Sequence, residues 1–131
     1  MNTRSVFEDV AKFHKEILKQ PPAETPMLVD LAFGIERFRF MQEELDEFIA
    51  AVHNGDIVEA ADGLADIIYV AAGTMYLMGL PAQEIWNAVQ SANMKKVAGQ
   101  TKRGNKFDAM KPEGWIPPNI AIAKAILGAI K

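Results

Sequence analysis

The stretch that decides the fold is residues 43–66, EELDEFIAAVHNGDIVEAADGLAD, in which one turn separates two acidic segments. Asn54-Gly55 predicts the end of a helix, because glycine readily adopts the left-handed backbone conformation found there. Asp56 is a favourable N-cap for the helix that follows. If both segments are helical, so short a turn folds them antiparallel. The stretch therefore predicts a helical hairpin.

The predicted hairpin brings carboxylates together. Counted outward from the turn, Glu47 lies opposite Asp62 and Glu43 lies opposite Asp66, with Glu44 between these two levels. Spacings of three and four residues put the glutamates on one helix face. Like charges held this close raise each other's pKa values. A divalent cation that prefers oxygen ligands, Mg²⁺ or Mn²⁺, would keep the cluster ionised. The alternative is a charged helix face in water.

Capping residues and apolar periodicity predict helices over most of the chain. Ser5, with a glutamate three residues later, starts the first helix. Prolines end it, so a loop follows at residues 20–28. The third helix is apolar around most of its circumference, which makes it the central one, and no strand pattern is present. The predicted helices begin at Ser5, cover about residues 30–53, 57–78, 81–97 and 120–130, and leave residues 98–118 irregular.

These elements predict an all-α bundle that forms a single domain over residues 1–131, with the antiparallel helical hairpin at its centre. The irregular residues 98–118 would be a loop able to close as a lid. The apolar surface expected on the helices favours a homodimer or a homotetramer.

Composition narrows the class of protein. The 131 residues include no cysteine and carry a net charge of −3, which excludes disulfides and thiolate sites and disfavours a general nucleic-acid binder. No apolar run approaches the roughly 18 residues of a membrane span, and residues 1–19 lack a signal-peptide pattern. A cytoplasmic protein without a membrane or nucleic-acid partner is expected.

Charge is unevenly distributed along the chain. Residues 36–66 hold nine acidic side chains, whereas residues 95–111 hold six basic ones and a single aspartate. An acidic centre together with a basic segment suits a metal-bound ligand that carries phosphate. The alternative is two solvated faces of opposite sign.

The acidic motifs resemble a known family. Glu43-Glu44-x-x-Glu47, followed by a helix with Asp66-Ile-Ile-Tyr69, is similar to the all-α nucleoside triphosphate pyrophosphohydrolases, which include MazG-type enzymes, phosphoribosyl-ATP pyrophosphohydrolases and dimeric dUTPases. The resemblance covers about residues 30–118. It implies a MazG-like helical bundle that uses Mg²⁺, or Mn²⁺, to cleave a (d)NTP into a (d)NMP and pyrophosphate.

The resemblance also implies roles for individual residues. Catalytic roles fall to Glu43 and Glu44, metal ligation to Glu44, Glu47, Asp62 and Asp66, and substrate binding to Arg37, Tyr69, Asn93, Lys96, Lys106 and Lys111. The residues themselves leave alternatives open for several of these. Arg37 suits a salt bridge to Glu36 or Glu43 as well as phosphate, and Lys106 and Lys111 suit a solvated loop as well as a lid. Aromatic side chains could line a base pocket or fill the core, namely Phe13, His14, Tyr69 and Trp115.

One motif departs from the family pattern. The second motif is usually Glu-x-x-Asp, but with Asp66 as its aspartate the glutamate position is Gly63. Asp62 would then supply the missing carboxylate from one residue earlier. A literal match at Glu59 and Asp62 lies about one turn nearer the hairpin loop, so Glu59 is expected outside the ligand set.

Two other functions remain open from the sequence. One is the hydrolysis of phosphoribosyl-ATP, a related reaction that a substrate panel would separate. The other is a non-catalytic helical oligomer that binds nucleotides or a protein partner, for which no metal-dependent turnover is expected.

Overall fold

The computed structural model describes residues 4–99 and 108–130 and is mostly helical, which confirms the all-α prediction. In this part of the chain the elements are α1 Val6–Glu16, α2 Leu31–His53, α3 Ile57–Leu77, α4 Ala82–Asn93, β1 Val97–Gly99, β2 Asp108–Met110 and α5 Asn119–Gly128. The chain divides into two compact units, Met1–Ala82 and Gln83–Lys131. No helix in the described residues is both long and apolar enough to cross a membrane.

The predicted N-caps Ser5 and Asp56 are confirmed by the hydrogen bonds they make, and Asp30 is a third N-cap. These residues precede α1, α3 and α2, and the side chain of each accepts the backbone N–H three residues further on, at 3.1 Å for Ser5, 3.1 Å for Asp56 and 2.8 Å for Asp30. Each bond satisfies a donor that the helix itself leaves unpaired. Local chemistry therefore fixes where the helices of the first unit begin.

The hairpin of α2 and α3 is also confirmed. Gly55 has φ of 66°, and the N–H of Asp56 donates to the carbonyl of Ala51 at 2.9 Å, which closes the turn. The helices approach most tightly at Gly63, where an added Cβ would lie 3.4 Å from the backbone N and Cα of Phe48. The absence of a side chain at this position allows the two backbones to come close.

Helix α1 packs against α3 and completes the core of the first unit. Val10 is 1% exposed and His14 is 4% exposed. The His14 ring lies 5.1 Å from the Tyr76 ring, and its Nδ1 is 3.0 Å from the Gln20 Oε1. His14 is thus a buried histidine with a hydrogen-bonding partner, so its side chain serves the core.

Helix α3 contributes the most buried positions among the described helices, in agreement with its predicted central place. These positions are Gly63, Val70, Ala72 and Gly73. Large apolar side chains of the hairpin nevertheless remain exposed, such as Ile49 at 52% and Ile68 at 54%. Within the described part of the chain, these side chains are therefore only about half covered.

The second unit differs from the prediction at two points. Helix α4 ends at Asn93 rather than near residue 97, because the N–H groups of Lys95 and Lys96 bond to carbonyls three residues back, those of Ala92 and Asn93. The sequence predicts no strand here, yet β1 and β2 pair antiparallel, with Val97 opposite Met110. Three-residue strands are too short to show a periodic pattern.

Gly79 and Gly55 offer a matched test of the packing at the end of α3. Both glycines have φ of 66°. A Cβ added at Gly79 would lie 2.7 Å from the carbonyl oxygen of Ala23, whereas a Cβ added at Gly55 would have no atom within 4 Å. Ala23 is itself bonded to α3, since its N–H donates to the carbonyl of Leu77 at 3.1 Å.

Gly55→Ala is expected to cost about 1–2 kcal/mol of unfolding free energy from backbone strain alone. Gly79→Ala should cost at least about 1 kcal/mol more, because the added methyl group also overlaps a bonded backbone carbonyl. Urea denaturation of the two variants and the wild type measures both losses. Equal losses would contradict the described contact between the loop and the end of α3.

Candidate functional site

Three of the predicted carboxylates come together on the hairpin, centred on Glu44 of α2. Glu44 is half-buried, and its Oε2 atom is buried without a hydrogen-bond partner among the described residues. Partial burial raises the pKa of Glu44 above its ordinary value, and the negative charges of Glu47 and Asp66 raise this pKa further. Glu47 lies one turn along the same helix, and Asp66 reaches the site from α3. The hairpin thus holds three carboxylates whose like charges repel one another.

A hard cation fits the chemistry of this group. Carboxylate oxygens can only accept, so three ionised neighbours cannot satisfy one another and need a donor or a cation. As the side chains stand, the described residues include no set of three or more Asp, Glu, His or Cys groups that could hold a metal ion. Glu47 is exposed, so its side chain is free to rotate toward an ion shared with Glu44 and Asp66.

Glu43 and Asp62 stand apart from the charges that act on Glu44. Both are exposed, and neither contributes to the raised pKa of Glu44. The sequence places five carboxylates near this level of the hairpin, and in the structure the charges of two of them, Glu47 and Asp66, raise the pKa of a third, Glu44. The catalytic role of Glu43 and the metal role of Asp62 stay predictions.

Gly63 stands where the usual Glu-x-x-Asp motif has its glutamate. Its Cα faces the backbone of Phe48 at the helix crossing, and an added Cβ would lie in van der Waals contact with the Phe48 N and Cα, at 3.4 Å. Glu59 is exposed in the first turn of α3, and its backbone N–H donates a hydrogen bond to the side chain of Asp56. Position 63 thus supplies no carboxylate, and Asp62 or Glu59 remains the candidate to replace it.

Arg37, predicted to bind substrate, is bonded to α3. Its Nε donates to the Oγ1 of Thr74 at 2.9 Å, and its Nη2 donates to the carbonyl of Val70 at 3.0 Å. The guanidinium carbon also lies 5.7 Å from the centre of the Phe40 ring. Burial lowers the pKa of Arg37. Within the described residues it forms a salt bridge with neither Glu36 nor Glu43, so a structural role joining the two helices is what its contacts support.

Gly73 makes this arrangement of Arg37 sterically feasible. An added Cβ there would lie 2.6 Å from the His14 Nε2 and 3.1 Å from the Arg37 Nη2. A glycine inside α3 can be rationalised from sequence as a close helix crossing, but the structure puts two polar side chains against it. His14 and Arg37 lie far from Gly73 in sequence, and the only sequence feature that indicates a close contact is a glycine inside a helix.

Tyr69 lies at the margin of the first unit. It is 37% exposed, and its ring meets the Phe13 ring edge to face, with the centroids 5.5 Å apart. This contact anchors one side of the ring to α1 and leaves the other side accessible. Packing and substrate contact are both compatible with this position, and its predicted substrate role stays a prediction.

The remaining predicted substrate residues belong to the second unit. Asn93 is exposed at the end of α4. The Nζ atoms of Lys96 and Lys111 lie 5.0 and 5.2 Å from the centre of the Trp115 ring, distances at which an ammonium group is attracted to an aromatic face. Sequence reasoning missed this pairing, because nothing in the spacing of the three residues indicates it. Lys106 lies outside the described residues.

Comparison with known proteins supports the resemblance seen in the sequence. The model of the family described as phosphoribosyl-ATP pyrophosphohydrolase matches residues 9–93. This span contains the helical hairpin with Glu44, Glu47 and Asp66, and it ends at Asn93. No curated protein matches the chain.

The raised pKa of Glu44 has a consequence for stability in the absence of metal. Between its ordinary pKa and the raised value, the folded protein holds a proton that the unfolded chain has released. Stability is therefore lost as pH rises through this window. Glu44→Gln removes the titrating group, so its stability relative to the wild type should increase over the same window and stay raised at neutral pH.

Urea denaturation in EDTA, from about pH 4 to about pH 8, tests this expectation across the ordinary range of carboxyl titration. Glu43→Gln is the matched control, because this neighbouring residue is exposed and does not act on Glu44. A Glu44→Gln variant that is less stable than the wild type at neutral pH would contradict the described charge cluster.

Proposed function

Because the chain belongs to the phosphoribosyl-ATP pyrophosphohydrolase family, we propose that it hydrolyses a nucleoside triphosphate to the monophosphate and pyrophosphate. The observation that carries the proposal is Glu44, whose buried Oε2 has no partner among the described residues and whose pKa is raised by Glu47 and Asp66. Clustered carboxylates with perturbed pKa values are typical of functional sites.

Glu44, Glu47 and Asp66 would hold the proposed divalent cation, Mg²⁺ or Mn²⁺, with Asp62 as a further candidate ligand. Oxygen ligands of this type suit both ions. When bound, such an ion supplies positive charge that stabilises the phosphates and lowers the pKa of water. For the protein, its binding would relieve the repulsion that now raises the pKa of Glu44.

The remaining steps belong to side chains of this chain. Glu43 is exposed beside Glu44 and would orient the attacking water and accept its proton. The water oxygen attacks the α-phosphorus, and the bond from that phosphorus to the bridging oxygen breaks. The electron pair of that bond leaves with pyrophosphate. Basic residues would neutralise the departing charge, and the candidates are Lys96, Lys106 and Lys111.

Phosphoribosyl-ATP is the second candidate substrate, and the family match favours it. Its hydrolysis breaks the same kind of phosphoanhydride bond and also releases pyrophosphate. Both candidate substrates would be cleaved by the same reaction at the same carboxylate cluster. They differ only in the chemical groups around the base and the sugar.

We also propose that the chain forms a homodimer or a homotetramer through the exposed apolar face of the hairpin. Ile49 and Ile68, from its two helices, are both more than half exposed. Isolated apolar side chains at a surface are ordinary, but a face that combines several of them favours association. A second copy of the same hairpin would cover such a face symmetrically.

Pyrophosphate release from dNTPs, NTPs and phosphoribosyl-ATP, with Mg²⁺, Mn²⁺ or EDTA, tests the proposed reaction. Release should require the metal, yield a monophosphate, and be fastest for the physiological class of substrate. Glu47→Gln and Asp66→Asn should each lower turnover by about 100-fold or more while leaving the helical circular dichroism spectrum unchanged.

Asp46→Asn is the matched control for these variants. Asp46 lies on the same helix, but it accepts a hydrogen bond from the Gln42 Nε2 at 3.0 Å and does not act on Glu44. Its variant should keep wild-type turnover. Full activity of Glu47→Gln or Asp66→Asn would overturn the proposed site. Absence of turnover on every substrate would favour a nucleotide-binding oligomer without catalysis.

A further inference from the structure

Phe40 is an aromatic residue on the same side of α2 as the carboxylates of the first unit. It lies four residues before Glu44 and seven before Glu47, spacings that put the three side chains on one face of a helix. One helical turn, about 6 Å along the axis, separates Phe40 from Glu44. The side chain of Phe40 is 46% exposed. A flat apolar surface is thus accessible one turn away from the proposed cation.

The Phe40 ring is supported by an anchored neighbour. The guanidinium carbon of Arg37 lies 5.7 Å from the ring centre, a distance at which a cation is attracted to an aromatic ring. Arg37 is itself held by its hydrogen bonds to Thr74 and to the carbonyl of Val70 on α3. This contact restricts the ring before any ligand arrives, which lowers the entropy lost when a ligand binds to it.

Phe40 does not lie on the side of α2 that carries Ile49. Each residue turns an α-helix by about 100°, so the nine residues from Phe40 to Ile49 place the two on opposite sides of α2. Phe38, by contrast, falls within about 20° of Ile49 by the same count, and its side chain is 60% exposed. A second copy that covered Ile49 would therefore cover the side of Phe38 and leave the side of Phe40 accessible.

We propose that Phe40 binds the base of a purine nucleotide by stacking and thereby selects the substrates that the carboxylate site accepts. The placement of the phosphates beside Glu44 rests on the proposed function, whereas the exposed ring does not. A ribose ring separates the base from the phosphates, so a base stacked one turn from the carboxylates is within reach. The uncharged base is not repelled by the acidic side chains of α2, and a purine offers a larger flat surface for stacking than a pyrimidine does.

Proton magnetic resonance of the ligand tests the stacking directly. When AMP is titrated with the full chain and Mg²⁺, its adenine protons should move upfield, because protons above an aromatic ring are shielded by the ring current. Phe40→Leu should abolish most of this shift and weaken AMP binding at least about tenfold, since leucine fills a similar volume without a flat face. Phe40→Tyr should keep both the shift and the affinity, because it keeps the ring.

Phe38→Leu is the matched control, because it makes the same change on the other side of the same helix. It should bind AMP as the wild type does. Ribose phosphate, which lacks a base, should bind equally to the wild type and to Phe40→Leu. Thermal unfolding checks that each variant is folded. Equal AMP affinity for Phe40→Leu and the wild type, or an equal loss in Phe38→Leu, would overturn the proposed stacking.

Kinetics give the role of Phe40 in selectivity a separate readout. Phe40→Leu should raise KM for ATP at least about tenfold and leave kcat nearly unchanged, because stacking on the base is equally strong before and during the reaction. The rise in KM should be smaller for CTP. An equal rise for the two nucleotides would overturn the purine selectivity, and a loss confined to kcat would overturn the binding role.

The outcomes also separate this inference from the proposed reaction. AMP binding that depends on Phe40, with no hydrolysis of any nucleotide, would sustain the stacking and reject the proposed function. Metal-dependent hydrolysis with the same KM for the wild type and Phe40→Leu would do the reverse.

Discussion

The close approach of α2 and α3 at Gly63 is the constraint on which the rest of the first unit depends. An added Cβ at this position would lie in van der Waals contact with the backbone of Phe48, so α2 and α3 pass close to each other here. Asp66 lies three residues after Gly63 on α3. Glu44 and Glu47 lie four residues and one residue before Phe48 on α2. The close approach of the two helices therefore brings carboxylates from both of them together.

This arrangement costs stability in the absence of a cation. Glu44 is partly removed from water beside two negative charges, which raise its pKa, and its buried Oε2 has no donor among the described residues. A fold that kept this group only for packing would gain by replacing it with an apolar side chain. Unfavourable groups of this kind persist where function requires them, which links the electrostatics of the hairpin to the proposed chemistry.

Features that depend on local sequence could be predicted well. The caps at Ser5 and Asp56 and the turn at Gly55 follow from side-chain and backbone chemistry within a few residues, and each is found in the structure. The short turn fixes roughly which helix levels face each other, and it predicts Glu43 opposite Asp66 with Glu44 between the levels. In the structure the charge of Asp66 acts on Glu44, and that of Glu43 does not.

Contacts between distant residues could not be predicted in the same way. Arg37 bonds to Thr74 and Val70 of α3, and Gly73 accommodates both Arg37 and His14, although the intervening sequence carries no signal of these pairs. The cation–aromatic contacts of Trp115 likewise depend on where the chain returns after β2. Tertiary packing, which pattern analysis does not encode, decides all of these contacts.

The most direct test of the account is Mn²⁺ binding to the full chain without nucleotide, followed by the electron paramagnetic resonance signal of the free ion. The account predicts saturable binding by the wild type and by Asp46→Asn, and an affinity at least about tenfold lower for Glu44→Gln. Equal affinities for Glu44→Gln and the wild type would contradict the claim that the carboxylates around Glu44 hold the divalent cation.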